Sequence, residues 1–363
     1  VAGTMSGRGK LNYLEHDPAL TPPHDFAPTA YAIGRTTAGT SLTLRGFATV
    51  RADGESITVG DNGFFAERAT VHIADGLLAT SMGHDVTVGR YGLVHACTLG
   101  DGVVVADAAT VMDAAVVGPH ALIAPGAVVP PRKQLAGGFV YEGHPAQPTR
   151  PISRAELEAA AATIRAGDAL DDFAAANLPP LDLMPFIGSA SGTGPLYQRA
   201  GRTPVVGTAY IAPTAALIGD VTIGDGSGVF FGCVLDAGDA RIVVGACTNI
   251  QDNTLFITDR ARGDLVVGNR VTIGHNVRMS SGRIDDEALV GMGSIVGDHV
   301  VVERGGCIGA GAWVEPGTVV KAGWIWAGRP ARAFRELKPA ERAEFARACD
   351  VYIRYARDYR ATR

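Results

Sequence analysis

The chain has 363 residues, a formal charge of −5 and a pI near 6.0, with 47% hydrophobic and 19% charged residues. That length favours two domains, each with a sizeable core; the composition excludes a disordered chain and offers no basic surface for nucleic acid. Forty-seven glycines, valine-rich runs and only 7% aromatic residues point to many short strands joined by tight turns.

Residues 1–27 are read as an N-terminal extension. They contain neither an apolar run of signal-peptide length nor the roughly 20 apolar residues of a membrane span, so a cytoplasmic protein without a membrane partner is expected. From residue 28 a period of six sets in, weakly through Ala32, Ala38, Leu44 and Val50, then strongly through Val105, Val111, Val117, Ile123 and Val129. One inward aliphatic residue every six fits a prism: a short strand makes each flat face, and a Gly-, Asp- or Asn-rich turn makes each corner. Three faces close a coil, coils stack at ~4.8 Å, and each coil buries its inner column only against its neighbours.

The first array, 28–176, leaves its coils through a Gly-x-Pro turn and runs into a helix-forming segment within 137–167. A Pro-, Gly- and Ser-rich linker follows at 177–206. The second array, 207–363, repeats the period through Ile211, Leu217, Ile223, Val229 and Leu235, and again through Leu289, Ile295, Val301, Cys307, Trp313 and Val319. It ends in a helix whose Phe345, Ala348, Tyr352, Tyr355 and Tyr359 share one apolar face, read as packing along the outside of a prism. The five cysteines, Cys97, Cys233, Cys247, Cys307 and Cys349, are scattered without CxxC spacing and read as reduced packing residues.

The stretches IGDVTIGDGSGVFFGCVL, TNIQDNTLF, VTIGHNV, ALVGMGSIVG and WIWAGRPARAFREL resemble the gamma-class carbonic anhydrase-like family. The resemblance covers 207–360 closely and 28–172 more loosely. It implies an all-β solenoid: two tandem left-handed parallel β-helix (hexapeptide-repeat) domains, each followed by an α-helix. It also implies a homo-oligomer built from trimeric rings of β-helices, with Zn2+ at the interfaces (Fe2+ or Co2+ would suit the same ligands), two histidines from one prism and one from its neighbour. The family's three histidine positions fall on His72, Arg90 and His95 in the first half, and on Ile257, His275 and Ser280 in the second. The implied metal ligands are therefore His72 and His95 from the first half and His275 from the second.

Accessory residues divide the same way. The family's Arg-Gly-Asp is Arg51-Ala52-Asp53 in the first half but Asp236-Ala237-Gly238 in the second; TNIQD is intact at Thr248–Asp252, whereas the first half reads GFFAE at 63–67. The resemblance implies that Gln251 and Asn249 hold the attacking water or substrate, and that Arg51, Asp53 and Asp252 tie the prisms together. Asp75, three residues after His72, is a candidate for passing protons to solvent. Three imidazoles with an open fourth position make metal-bound water a hydroxide near neutral pH, able to attack carbon dioxide or a small carbonyl substrate as a zinc-dependent lyase or hydrolase. A glutamate expected after the Arg-x-Asp triplet is replaced by Gly54. A complete site needs a mixed ring of first and second halves; a ring of two first halves and one second half holds a single complete site. Two other readings stay open: an acyltransferase using acyl-coenzyme A, and a non-catalytic trimeric scaffold with decayed metal sites.

Overall fold

The computed structural model describes residues 9–170, 191–193 and 195–361. The start of the N-terminal extension and positions 177–190 and 194 of the linker lie outside the described residues. Two compact units result, one drawn from Val1–Leu183 and one from Met184–Ala361, and each is a parallel β-helix followed by an α-helix.

In the first unit a 12-stranded and an 8-stranded sheet form the faces. The larger sheet is two faces joined by long strands that run through a corner: Thr49–Val59 pairs with Thr70–His72 at one end and Thr80–Met82 at the other. The coil stack already includes Lys10–Leu11, Ala19–Leu20 and His24–Phe26, which pair in parallel with later strands. Val50, Val71, Val94, Val111 and Val129 stand in one inner column, none exposed, and each contributes about 1.5–3 kcal/mol of apolar burial.

The second unit has three separate faces of eight, eight and six strands. Ile211, Val229, Ile250, Ile273, Val290 and Ile308 stack on one of them. In the last coils the phase differs from the expected one. The inward residues are Val290, Val296, Val302, Ile308, Val314 and Val320, while Leu289, Ile295, Val301 and Trp313 are half-buried and Val319 is exposed. Each of these strands carries two adjacent apolar residues, and a period of six fixes their spacing without saying which one faces in.

Corners are held by side-chain acceptors stacked from coil to coil. The Asp107 carboxylate accepts from the Arg90 backbone N–H at 2.7 Å, and Asp225, Asp264 and Asn269 do the same for Thr208, Arg241 and Ala246. Gly274 is required where coils approach closely, since a Cβ there would lie 2.5 Å from the backbone nitrogen of Met292.

Helix α1, Arg154–Ala166, starts at Ser153, whose hydroxyl accepts from the Glu156 N–H, and stops at Gly167 in the left-handed region (φ 91°), as helix ends commonly do. Its Leu157 and Ile164 pack on Phe64, Val104 and Leu122. Helix α2, Pro339–Ala361, is ten residues longer and lays Tyr352, Tyr355 and Tyr359 on its β-helix. Tyr359 stacks on Tyr210 (5.1 Å), and Tyr352 meets Phe230 edge-on (5.2 Å). All five cysteines are free. Among the described residues no helix is long and apolar enough to cross a membrane.

Candidate metal centre

In the first unit, parallel register sets His95 beside His72 on adjacent coils. Each ends its strand, Leu93–His95 and Thr70–His72, so both rings leave the face at the same corner. His72 Nδ1 and His95 Nε2 face each other at 3.4 Å. That is the edge of a tetrahedron with ligand bonds of about 2.0–2.1 Å, for which the nitrogens stand roughly 3.3–3.4 Å apart. The outer nitrogens are held by carboxylates: His72 Nε2 lies 3.1 Å from Asp53 Oδ1, and His95 Nδ1 lies 2.5 Å from Asp113 Oδ1. Arg51 in turn pairs with Asp53, and both side chains are fully buried. Two buried imidazoles with facing nitrogens, each clamped from behind by a carboxylate, suit a divalent ion of the zinc class.

Arg90 takes no part in that arrangement. It makes a two-pronged ion pair with Asp107 and reaches the carbonyl of Gly167 at the end of α1 at 3.5 Å, where a cation meets the negative end of the helix dipole. Asp75 sits half-buried in the corner loop closed by the Ala74–Leu78 bridge.

In the second unit His275 follows Thr272–Ile273 and Gly274 at a corner and is completely buried. Its Nδ1 lies 3.1 Å from Asp252 Oδ2, and the other Asp252 oxygen accepts from the Phe231 backbone N–H at 3.0 Å. Its Nε2 lies 3.1 Å from the Tyr352 hydroxyl of α2. Asn249 donates to Thr272 Oγ1 (3.0 Å) and accepts from Gln251 Nε2 (3.0 Å), so Asn249 orients Gln251. Ile257, the second-half counterpart of His72, ends the strand Leu255–Ile257, and Asp236, the counterpart of Arg51, forms an ion pair with the half-buried Arg199.

Sequence reasoning missed two residues that touch the histidines. Asp113 carries a weak signal, lying one position beyond the residue that follows Val111 in the His95 column. Tyr352 carried only the signal of an apolar helix face. The two halves align at a constant separation of 185 residues, which sets Arg90 against His275 and Gly167 against Tyr352. In one unit the pair is a capped helix end; in the other it is a histidine under a tyrosine.

No protein-family model matches the chain. Gamma carbonic anhydrase 1, mitochondrial, of Arabidopsis thaliana is 37% identical over 166 residues, 44% of this chain and 60% of the relative, so the chain spans less than two thirds of that protein's length. A carbonic anhydrase of Geobacillus kaustophilus is 34% identical over 167 residues, 46% of this chain and 91% of the relative. A solved structure from Desulfovibrio desulfuricans G20, which bears a provisional acetyltransferase name, matches 93% of this chain and 81% of its own with a TM-score of 0.53. At 12% identity that likeness shows the fold alone.

Proposed function

This chain belongs to the gamma carbonic anhydrase-like family of hexapeptide-repeat β-helix proteins, and we propose that it is a metalloenzyme that hydrates carbon dioxide or a related small carbonyl substrate. Its ligands are His72 and His95 of a first unit and His275 of a second, in a mixed ring of first and second units. The observation that carries this reading is the His72–His95 pair, whose facing nitrogens have the spacing of two ligands on one tetrahedral ion. The complementary losses support it: the first unit has turned its neighbour-donated position into Arg90, bound to its own helix end, and the second has kept His275 while losing the other two.

A bound divalent ion supplies Lewis acidity that lowers the pKa of water to near neutrality. The chain's own groups do the rest. Asp53, fixed by Arg51, orients His72; Asp252 orients His275 and is itself anchored on a backbone N–H. Asn249 turns Gln251 so that its carboxamide oxygen is the acceptor offered to water or substrate. Asp75 takes the proton towards solvent.

Elemental analysis of protein purified without chelator, together with its native mass, tests the reading. A transition metal in fixed ratio to the chain, lost in both His72→Ala and His275→Ala, is expected. A metal-free oligomer of normal mass sinks it and turns attention to coenzyme A binding, measured as a thermal shift.

A further inference from the structure

We propose that Asp113 is the positioning residue that sets the His95 imidazole for metal binding; the assignment rests on the metal-centre reading above. Asp113 lies on the coil after His95. Val111 pairs with Val94, which places Met112 beside His95 and Asp113 one residue further, at the corner. Its Oδ1 is 2.5 Å from His95 Nδ1. An ionised carboxylate only accepts hydrogen bonds, so the contact keeps the ring proton on Nδ1 and leaves the lone pair on Nε2, the nitrogen that faces His72 at 3.4 Å. Asp53 does the matching service for His72 from the opposite side. The two rings are thus held apart and aimed inward by two carboxylates from different coils.

The duplication supplies an internal comparison. At the position 185 residues beyond Asp113 stands Asp298, and beyond His95 stands Ser280. Among the described residues Asp298 Oδ1 is buried with no hydrogen-bond partner, a costly state for a carboxylate oxygen. The second unit has the carboxylate without the ring it would hold. Where the ring is present the carboxylate is engaged, and where the ring is absent it is idle.

A buried imidazole that loses such a carboxylate settles into the opposite tautomer, with its proton on the metal-facing nitrogen, and second partners of this kind are worth about 10–100-fold in metal affinity. The experiment uses the full chain and the variants Asp113→Asn, Asp113→Ala and Asp113→Glu, with Asp298→Asn as the matched control. Zinc affinity is measured by chelator competition, and the His95 tautomer is read by nitrogen NMR on the zinc-free protein. The expected result is zinc binding weakened about 10–100-fold in the Asn and Ala variants, partial recovery in Glu, none of this in Asp298→Asn, and a ring proton that moves from Nδ1 to Nε2 in Asp113→Ala. A wild-type His95 that carries its proton on Nε2, or an Asp113→Ala variant whose tautomer stays as in the wild type, overturns the proposal. If the wild type takes up no zinc while the tautomer still moves, the role of Asp113 in setting the ring stands and the metal-centre reading falls. If zinc binds and the tautomer does not respond, Asp113 alone is refuted.

Discussion

Removing the Tyr352 hydroxyl as Tyr352→Phe separates two things that a histidine nitrogen can do. The Asp252 carboxylate lies 3.1 Å from His275 Nδ1, and the Tyr352 hydroxyl lies 3.1 Å from Nε2, the nitrogen that the proposed metal centre would use. The phenyl ring itself stays packed, edge-on to Phe230 and to Tyr355, so the substitution keeps the ring and removes the hydroxyl with its hydrogen bond to His275. That bond contributes about 1 kcal/mol. The metal-free variant should therefore melt roughly 2–4 °C lower, the shift expected for units of this size. If His275 Nε2 is a ligand atom, as proposed, a metal displaces the hydroxyl on binding, and the same ~1 kcal/mol returns with opposite sign in binding. Zinc affinity should rise about fivefold, since 1.4 kcal/mol is tenfold. Thermal melts in excess chelator and zinc titration against a chromogenic chelator measure the two quantities independently. An unchanged melt combined with weaker zinc binding would refute this competition and make the hydroxyl a partner of the loaded site.

The other expectations concern the scaffold. Phe256, wholly buried in the column Leu235–Phe256–Met279, should cost about 3–5 kcal/mol as Phe256→Ala, read as a fall in the denaturation midpoint of the second unit. Arg90→Met leaves Asp107, only 8% exposed, without its ion-pair partner and removes the cation at the end of α1; a loss of about 1–3 kcal/mol is expected, detectable as a lower urea midpoint of the first unit. Hydrogen bonds from Arg335 and from the Lys338 backbone N–H draw the Glu341 carboxyl down to about 2. Its contribution is fully present above the ordinary glutamate value of about 4.3 and is lost as pH falls through about 2. Because the pair is partly exposed, the stability at stake is about 0.5–1 kcal/mol, and Glu341→Gln should remove that part of the acid dependence between pH 5 and pH 2.

What could be read from the sequence, and what could not, follows from which contacts the coil period governs. Residues at one position of successive coils must stack, so the coil architecture was legible in the period of six, whereas His72, His95, Arg51 and Asp53 were singled out through the resemblance, which gave Arg51 and Asp53 a role between prisms and not the contact of Asp53 with His72. The phase of the late second array was not legible, because Leu289-Val290, Ile295-Val296 and Trp313-Val314 each offer two apolar residues to one inward slot. Asp113 escaped because a corner side chain can turn towards either neighbouring coil. Tyr352 escaped for a different reason: the helical period explains its ring, but its hydroxyl finds His275 only through the way α2 lies across the face, and no repeat encodes that.

Each β-helix is a stack in which a coil touches only the coil above and the coil below, so disorder enters it from the ends. The strands of His72 and His95 are interior, with Thr49–Val59 on one side and Thr110–Val111 followed by Val128–Val129 on the other. Their amides should exchange with solvent far more slowly than those of Gln134–Leu135 at one end of the same sheet. A corner insertion such as Ala74–Leu78 can lengthen one turn between two faces without shifting the rungs around it, since the ladder re-enters register at Thr80 against Ile57. The architecture thus insulates the paired histidines from both fraying and loop growth, and evolutionary change at the corners is free to reshape what approaches the site while the spacing of its two nitrogens stays fixed.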